Sequence, residues 1–314
     1  MLGVMNLASE HADGGTERPR TSHELAGRFR AYGYVREEQI PDGEQALTLL
    51  RLLDVYERAG LLRRGRPVAL CRICRHARTC WAGATPGALR QPQERFGEDD
   101  EDGSICLPWV GPSYRPGGLV VLGINPNVYG GDYTDLLIDH GIVWDHWIAG
   151  FREGRRAEGG SRFGFGAMRT AAGLLDVLDR QPVRDREPDE LVEATKRIAR
   201  IHAIKCVPRR SRSRPFPSMW SRCPALVLRA ELEILEPRIL LVLGEQPGAA
   251  VADLPGFRAA HVPELPALRG ELELDTGAVA DVYSLPHPAA RTAEVEERGF
   301  LQSLSTRYQR EAQG

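Results

Sequence analysis

Two sets of residues along this chain have the types and spacing to do chemistry. The first is cysteine: Cys71-x2-Cys74 early, and Cys206 and Cys223 later. Four thiolates suit an iron–sulfur cluster, and a tetrahedral zinc could use them too. Buried unliganded thiols are the third reading. Cys80 and Cys106 are spare, and Cys80 could form a local trio with the first pair. The second set is polar and sits at the ends of apolar runs. Asn125 lies in the turn Gly123-Ile124-Asn125-Pro126, and His287 precedes Pro288 near the chain end. Gly123 permits a tight turn and Pro126 fixes the backbone, so the amide points away from the strand. An amide can orient water through its carbonyl but is no general base. A neutral imidazole can donate a hydrogen bond where negative charge develops. Each residue also has a plain structural use, the asparagine capping its own turn and the histidine bonding a backbone carbonyl.

The elements that must position these residues are those of an α/β protein. Four short apolar runs, Leu119–Leu122, Ile201–Ile204, Ile239–Leu243 and Val282–Leu285, suit buried parallel strands. Helical segments separate them, notably Ala167–Arg180 and Pro224–Leu235. Such alternation predicts a three-layer α/β/α domain with a central four-stranded, mostly parallel sheet. The stretch Glu271–Gly277 alternates and then turns, which predicts a hairpin into the last strand, and a closing helix is expected over Ala293–Gln309. In a sheet of this kind, ligands bind beyond the carboxyl ends of the strands. Asn125 follows the first strand and His287 the last, so both are expected to reach one crevice.

Residues 1–22 are polar and without apolar period, which predicts disorder. Residues 23–66 are read as a helical N-terminal extension, with an apolar face over Glu44–Arg58, and 67–314 as the α/β/α domain. The acidic run Glu98–Asp102 reads as a solvated loop.

At 314 residues and 42% apolar content, the chain can bury a sizeable core. Six irregularly spaced cysteines are no disulfide framework. The sequence lacks a secretory leader pattern and any apolar stretch of membrane-spanning length, so a cytoplasmic monomer with no membrane contact is expected. The net charge of −2 excludes a globally basic protein, so nucleic-acid binding would need a local patch. One is available: Arg209, Arg210, Arg212, Arg214 and Arg222 lie between Cys206 and Cys223 with no acidic residue among them. One-signed clustering of this kind is what phosphate contacts require.

The ordered set formed by Cys71-x2-Cys74, Gly123-Ile124-Asn125-Pro126, Lys205-Cys206-Val207-Pro208, Cys223 and His287-Pro288-Ala289 resembles the uracil-DNA glycosylase superfamily, most closely its iron–sulfur branch. The resemblance runs from Cys71 to the final helix. It implies a DNA glycosylase that hydrolyses the N-glycosidic bond of uracil or a related damaged base by water, without a covalent lysine. It implies that Cys71, Cys74, Cys206 and Cys223 hold a [4Fe–4S] cluster of structural role, with zinc as the alternative. Asn125 would position the attacking water, where the iron–sulfur branch typically has glutamate. His287 would stabilise the departing base. The turn Gly123, Ile124 and Pro126 would line the pocket, Phe165 or Phe163 would stack on a flipped base, and Arg291 would wedge into the duplex. His202 stands where the iron–sulfur branch has an asparagine that reads the pyrimidine edge, and it lacks the amide's paired donor and acceptor. The alternative function is a catalytically inactive iron–sulfur DNA-binding protein of the same fold.

Overall fold

The computed structural model describes residues 22–31, 43–61, 108–124, 160–205, 215, 217–261, 267–288 and 293–311. Seven strands are present among them: β1 (Trp109–Val110), β2 (Leu119–Gly123), β3 (Ile198–His202), β4 (Ile239–Leu243), β5 (Phe257–Ala259), β6 (Leu268–Glu273) and β7 (Val279–Leu285). They form one sheet in the order β1-β3-β2-β4-β7-β6-β5. The four expected strands are its centre, with β3, β2, β4 and β7 mutually parallel. Three antiparallel strands extend them to seven, β1 on one side and the β6–β5 pair on the other. The expected hairpin is the β6–β7 connection. β3 begins earlier than its apolar run predicts, at Ile198, because Arg200 interrupts an otherwise buried strand.

Alternation along the strands divides the core in two. Val120, Leu122, Ala199, Ile201, Leu240, Val242 and Val282 face one helical layer. That layer comprises α2 (Gly43–Arg58), α6 (Cys223–Leu235) and α7 (Glu245–Ala252). Leu119, Val121, Ile198, Leu241, Tyr283 and Leu285 face the other, made of α3 (Gly160–Leu178), α4 (Pro188–Thr195) and α8 (Ala293–Glu311). Two short helices complete the set, α1 (Ser22–Ala31) and α5 (Pro217–Trp220).

The N-terminal helices are held by burial. α2 places Leu49, Leu50, Leu52, Leu53 and Tyr56 in the same cluster as α6 and the sheet, and Arg28 of α1 pairs with Asp54 of α2 at 2.7 Å. Ser22 opens α1, while the rest of the segment expected to be disordered and the acidic run lie outside the described residues. No described helix is long and apolar enough to cross a membrane.

Candidate active site at the carboxyl ends of the parallel strands

α3, the next described helix after β2, lies on one face of the sheet, and α7, which follows the neighbouring strand β4, lies on the other. Where adjacent parallel strands send their connections to opposite faces, a crevice opens beyond their carboxyl ends. Four described residues converge there. Gly123 ends β2 and is the register partner of His202 at the end of β3. The pairing continues past the strands: Ala203 N–H donates to Gly123 O at 2.9 Å, and Ile204 N–H to Ile124 O at 2.8 Å. Gly244 follows β4 with φ +112°, a left-handed backbone that favours glycine. Its N–H donates to Leu285 O at 2.8 Å, tying the ends of β4 and β7 together. His287 lies two residues beyond that carbonyl.

α3 packs against this edge of the sheet. A Cβ placed on Gly166 would stand 2.9 Å from Cβ of Pro288, so this helix passes directly over the His287–Pro288 turn only because residue 166 has no side chain. Gly173 similarly lets Leu301 of α8 approach, a built Cβ meeting its Cδ1 at 2.7 Å. Arg169 locks the two helices: its Nε donates to Glu297 Oε1 at 2.9 Å and its Nη2 to Oε2.

Two histidines flank the crevice with different surroundings. His287 is half-buried, and burial holds its pKa below the ordinary imidazole value. It is therefore a neutral hydrogen-bonding group at pH 7. His202 is 5% exposed, and among the described residues its Nε2 has no hydrogen-bond partner. Burial drives its pKa well below the ordinary value, with the charges of Arg200 and Lys205 adding to the effect.

Behind β3, on the other face of the sheet, lies a network that sequence reasoning missed. Lys205 is fully buried. Its Nζ donates to Glu231 Oε1 and Oε2 at 2.7 and 2.6 Å and to the main-chain carbonyl of His202. Tyr56 O–H donates to the same carboxylate, and its ring lies 5.6 Å from the ammonium. Burial pushes the Glu231 carboxyl up. The one available signal was a glutamate within the apolar face of α6, between Leu228 and Leu235.

Of the four expected metal ligands, Cys223 is described. It is buried at the first position of α6, and its Sγ accepts the N–H of Lys205 at 3.3 Å. That bond holds Lys205, just after β3, against Cys223. Main-chain N–H donors of this kind commonly support sulfur ligands of clusters, so the donor chemistry at this position fits a cluster thiolate. Cys71, Cys74 and Cys206 lie outside the described residues, as do Cys80, Cys106, Asn125, Pro126, Arg291, Arg209, Arg210, Arg212 and Arg214. Phe165 lies in α3 beside Gly166, but its side chain is also outside the described set. Among the described residues, no group of three or more His, Cys, Asp or Glu side chains could hold a metal.

Residues 167–305 match the family model described as the uracil DNA glycosylase superfamily. The matched stretch takes in most of α3, then β3, α6, β4 and β7, the His287 turn and most of α8. No curated protein matches the chain. Residues 167–305 are thus similar to the uracil DNA glycosylase superfamily, and the parallel strands β3, β4 and β7 lie within the matched stretch.

Proposed function

We propose that this protein is a monofunctional DNA glycosylase that hydrolyses the N-glycosidic bond of uracil or a related deaminated base. One observation carries the reading: Gly123 and His202 end β2 and β3 and His287 follows β7, so all three lie at the carboxyl edge of one parallel sheet, in a chain whose residues 167–305 match the uracil DNA glycosylase superfamily. Base removal leaves the sugar oxocarbenium-like and sends negative charge onto the departing base. His287, neutral because it is partly desolvated, donates to a base oxygen and stabilises the charge as it develops. Asn125, next in the turn after Ile124, orients the water that attacks C1′. The water oxygen bonds C1′ as the C1′–N bond breaks, the bonding pair leaves with the base, and the water proton passes to solvent.

Phe165, adjacent in α3 to the glycine packed on Pro288, is the candidate stacking platform for the extruded base. Arg209, Arg210, Arg212, Arg214 and Arg291 supply the phosphate contacts that a protein of net charge −2 needs locally. Cys71, Cys74, Cys206 and Cys223 would hold a [4Fe–4S] cluster, or zinc, that cross-links the early segment to the loop after β3. The donation from Lys205 N–H to Cys223 Sγ supports a thiolate there.

A second reading, a DNA-binding protein of this fold without catalysis, is favoured by one feature, the imidazole of His202 in place of a base-reading amide. Incubation with single- and double-stranded oligonucleotides carrying one uracil, followed by alkali, separates the two. Scission by the native protein, reduced by about 10²–10³-fold in His287→Ala, is the expected result. Absence of scission from protein that still binds the oligonucleotides would establish the second reading instead.

A further inference from the structure

Three contacts along one face of α3 hold the His287 turn and the helix that follows it. Gly166, Arg169 and Gly173 are three and four residues apart, so they point the same way from α3. They meet Pro288, Glu297 and Leu301 in that order. Glu297 and Leu301 are four apart on α8, as Arg169 and Gly173 are on α3, so the two helices run parallel in a single register.

Two of the contacts set that register. Leu301 seats over Gly173, where any side chain would collide with it. The guanidinium of Arg169 takes both oxygens of Glu297 as a fork, which fixes distance and orientation together. Glu297 is 5% exposed, and a buried ion pair adds little net stability over apolar side chains of the same volume. What the fork adds is a defined geometry. That geometry bears on His287. The turn is held at its start by the bond from Gly244 N–H to Leu285 O, and α8 begins at Ala293, with Glu297 in its second turn. Phe300 of α8 packs on Tyr283 of β7 with ring centroids 5.3 Å apart, which ties the helix to the strand that delivers the histidine. A slip of α8 along α3 would carry the end of the turn with it.

We propose that Arg169 and Glu297 are positioning residues for His287: their ion pair fixes α8 against α3 and thereby sets the imidazole at the carboxyl edge of the sheet. The pair then acts on the chemical step and leaves DNA binding alone. The assignment rests on the glycosylase reading and extends its site to two residues that act through His287.

The test reads rate, binding and the imidazole itself. Arg169→Lys keeps the charge and loses the fork. The double variant Arg169→Met with Glu297→Leu fills the space without charge and should unfold at a urea midpoint near the native one. If the apolar pair does not fold, Arg169→Lys carries the same readings. Each variant should bind a uracil-bearing oligonucleotide with native affinity while single-turnover excision slows by about tenfold. In a His287→Ala background the same changes should cost nothing further, because the imidazole they displace is already gone. In protein labelled with 13C-histidine, the ring resonances of His287, identified by their loss in His287→Ala, should shift in Arg169→Lys.

A shifted ring signal with no excision by the native protein would uphold the positioning and refute the glycosylase. Excision by the native protein with an unchanged rate in the variants, a static ring signal, or a rate loss that persists in the His287→Ala background would overturn the positioning and keep the glycosylase. A static signal with no excision would overturn both.

Discussion

Lys205 and His202 sit three residues apart at the end of the same strand, both buried, and are treated oppositely by the fold. The ammonium of Lys205 is bonded to both oxygens of Glu231 and to a main-chain carbonyl, and the ring of Tyr56 lies beside it. The imidazole of His202, on the other face, has no hydrogen-bond partner for Nε2 among the described residues. A buried charge is tolerated only with its counter-charge and hydrogen bonds in place. A buried neutral ring can wait for a ligand at smaller cost. The difference separates a face whose buried polar groups are satisfied from one where, among the described residues, a buried nitrogen is not. It also explains why α2 belongs to the core, since Tyr56 supplies part of the Lys205 cage from the far N-terminal side of the chain.

The comparison breaks most severely if the caged side is opened. Glu231→Gln leaves the Lys205 ammonium buried without a counter-charge and should cost about 3–5 kcal/mol in urea denaturation. Tyr56→Phe, which removes one donor to the same carboxylate, should cost about 1 kcal/mol. A Glu231→Gln protein as stable as the native one would mean that the cage is not structural.

On the site face, Gly166→Ala should act on rate more than on stability. The new Cβ would meet the ring of Pro288 at 2.9 Å and push the His287 turn out of place. A displacement on the ångström scale costs up to about 10²-fold in rate. Single-turnover excision should therefore slow by roughly ten- to a hundredfold, and an unchanged rate would show that α3 does not set the position of His287.

The smallest effect concerns pH. The folded protein keeps His202 neutral below the 6.5 at which an exposed imidazole titrates. The unfolded chain then binds more protons, so stability falls as the pH drops through and below 6.5. The slope from this one group is at most about 1.4 kcal/mol per pH unit. His287 contributes with the same sign. Urea midpoints at pH 7.5, 6.5 and 5.5 should fall less steeply for His202→Asn than for the native protein. Parallel curves would show that His202 is protonated alike in both states.

The apolar runs made the centre of the sheet legible. Ile239–Leu243 is β4 residue for residue, and Leu119–Leu122 lacks only the final glycine of β2. β7 extends earlier than its run, to Val279, because its first residues alternate against the β6 hairpin partner, with Val279 exposed and Asp281 half-buried. β1 and β5, two and three residues long, are too short for any period to register. The expectation that Asn125 and His287 reach one crevice rests on strand ends alone; His287 does follow β7 at the carboxyl edge of the sheet, and Asn125 lies outside the described residues. The Tyr56–Glu231–Lys205 cage was not legible, because it joins three elements distant in sequence by side-chain geometry that no local pattern encodes. Nor could the sequence distinguish an orphaned His202 from a satisfied one. That depends on which face of β3 the residue occupies and what meets it there.

The most direct test of the account measures two quantities on one variant. His287→Ala is compared with the native protein for single-turnover release of uracil from an oligonucleotide and for the urea midpoint of unfolding. The account predicts that release falls by about 10²–10³-fold while the midpoint stays within the range of a conservative surface change. Full release by His287→Ala would contradict it and place the chemistry elsewhere in the fold.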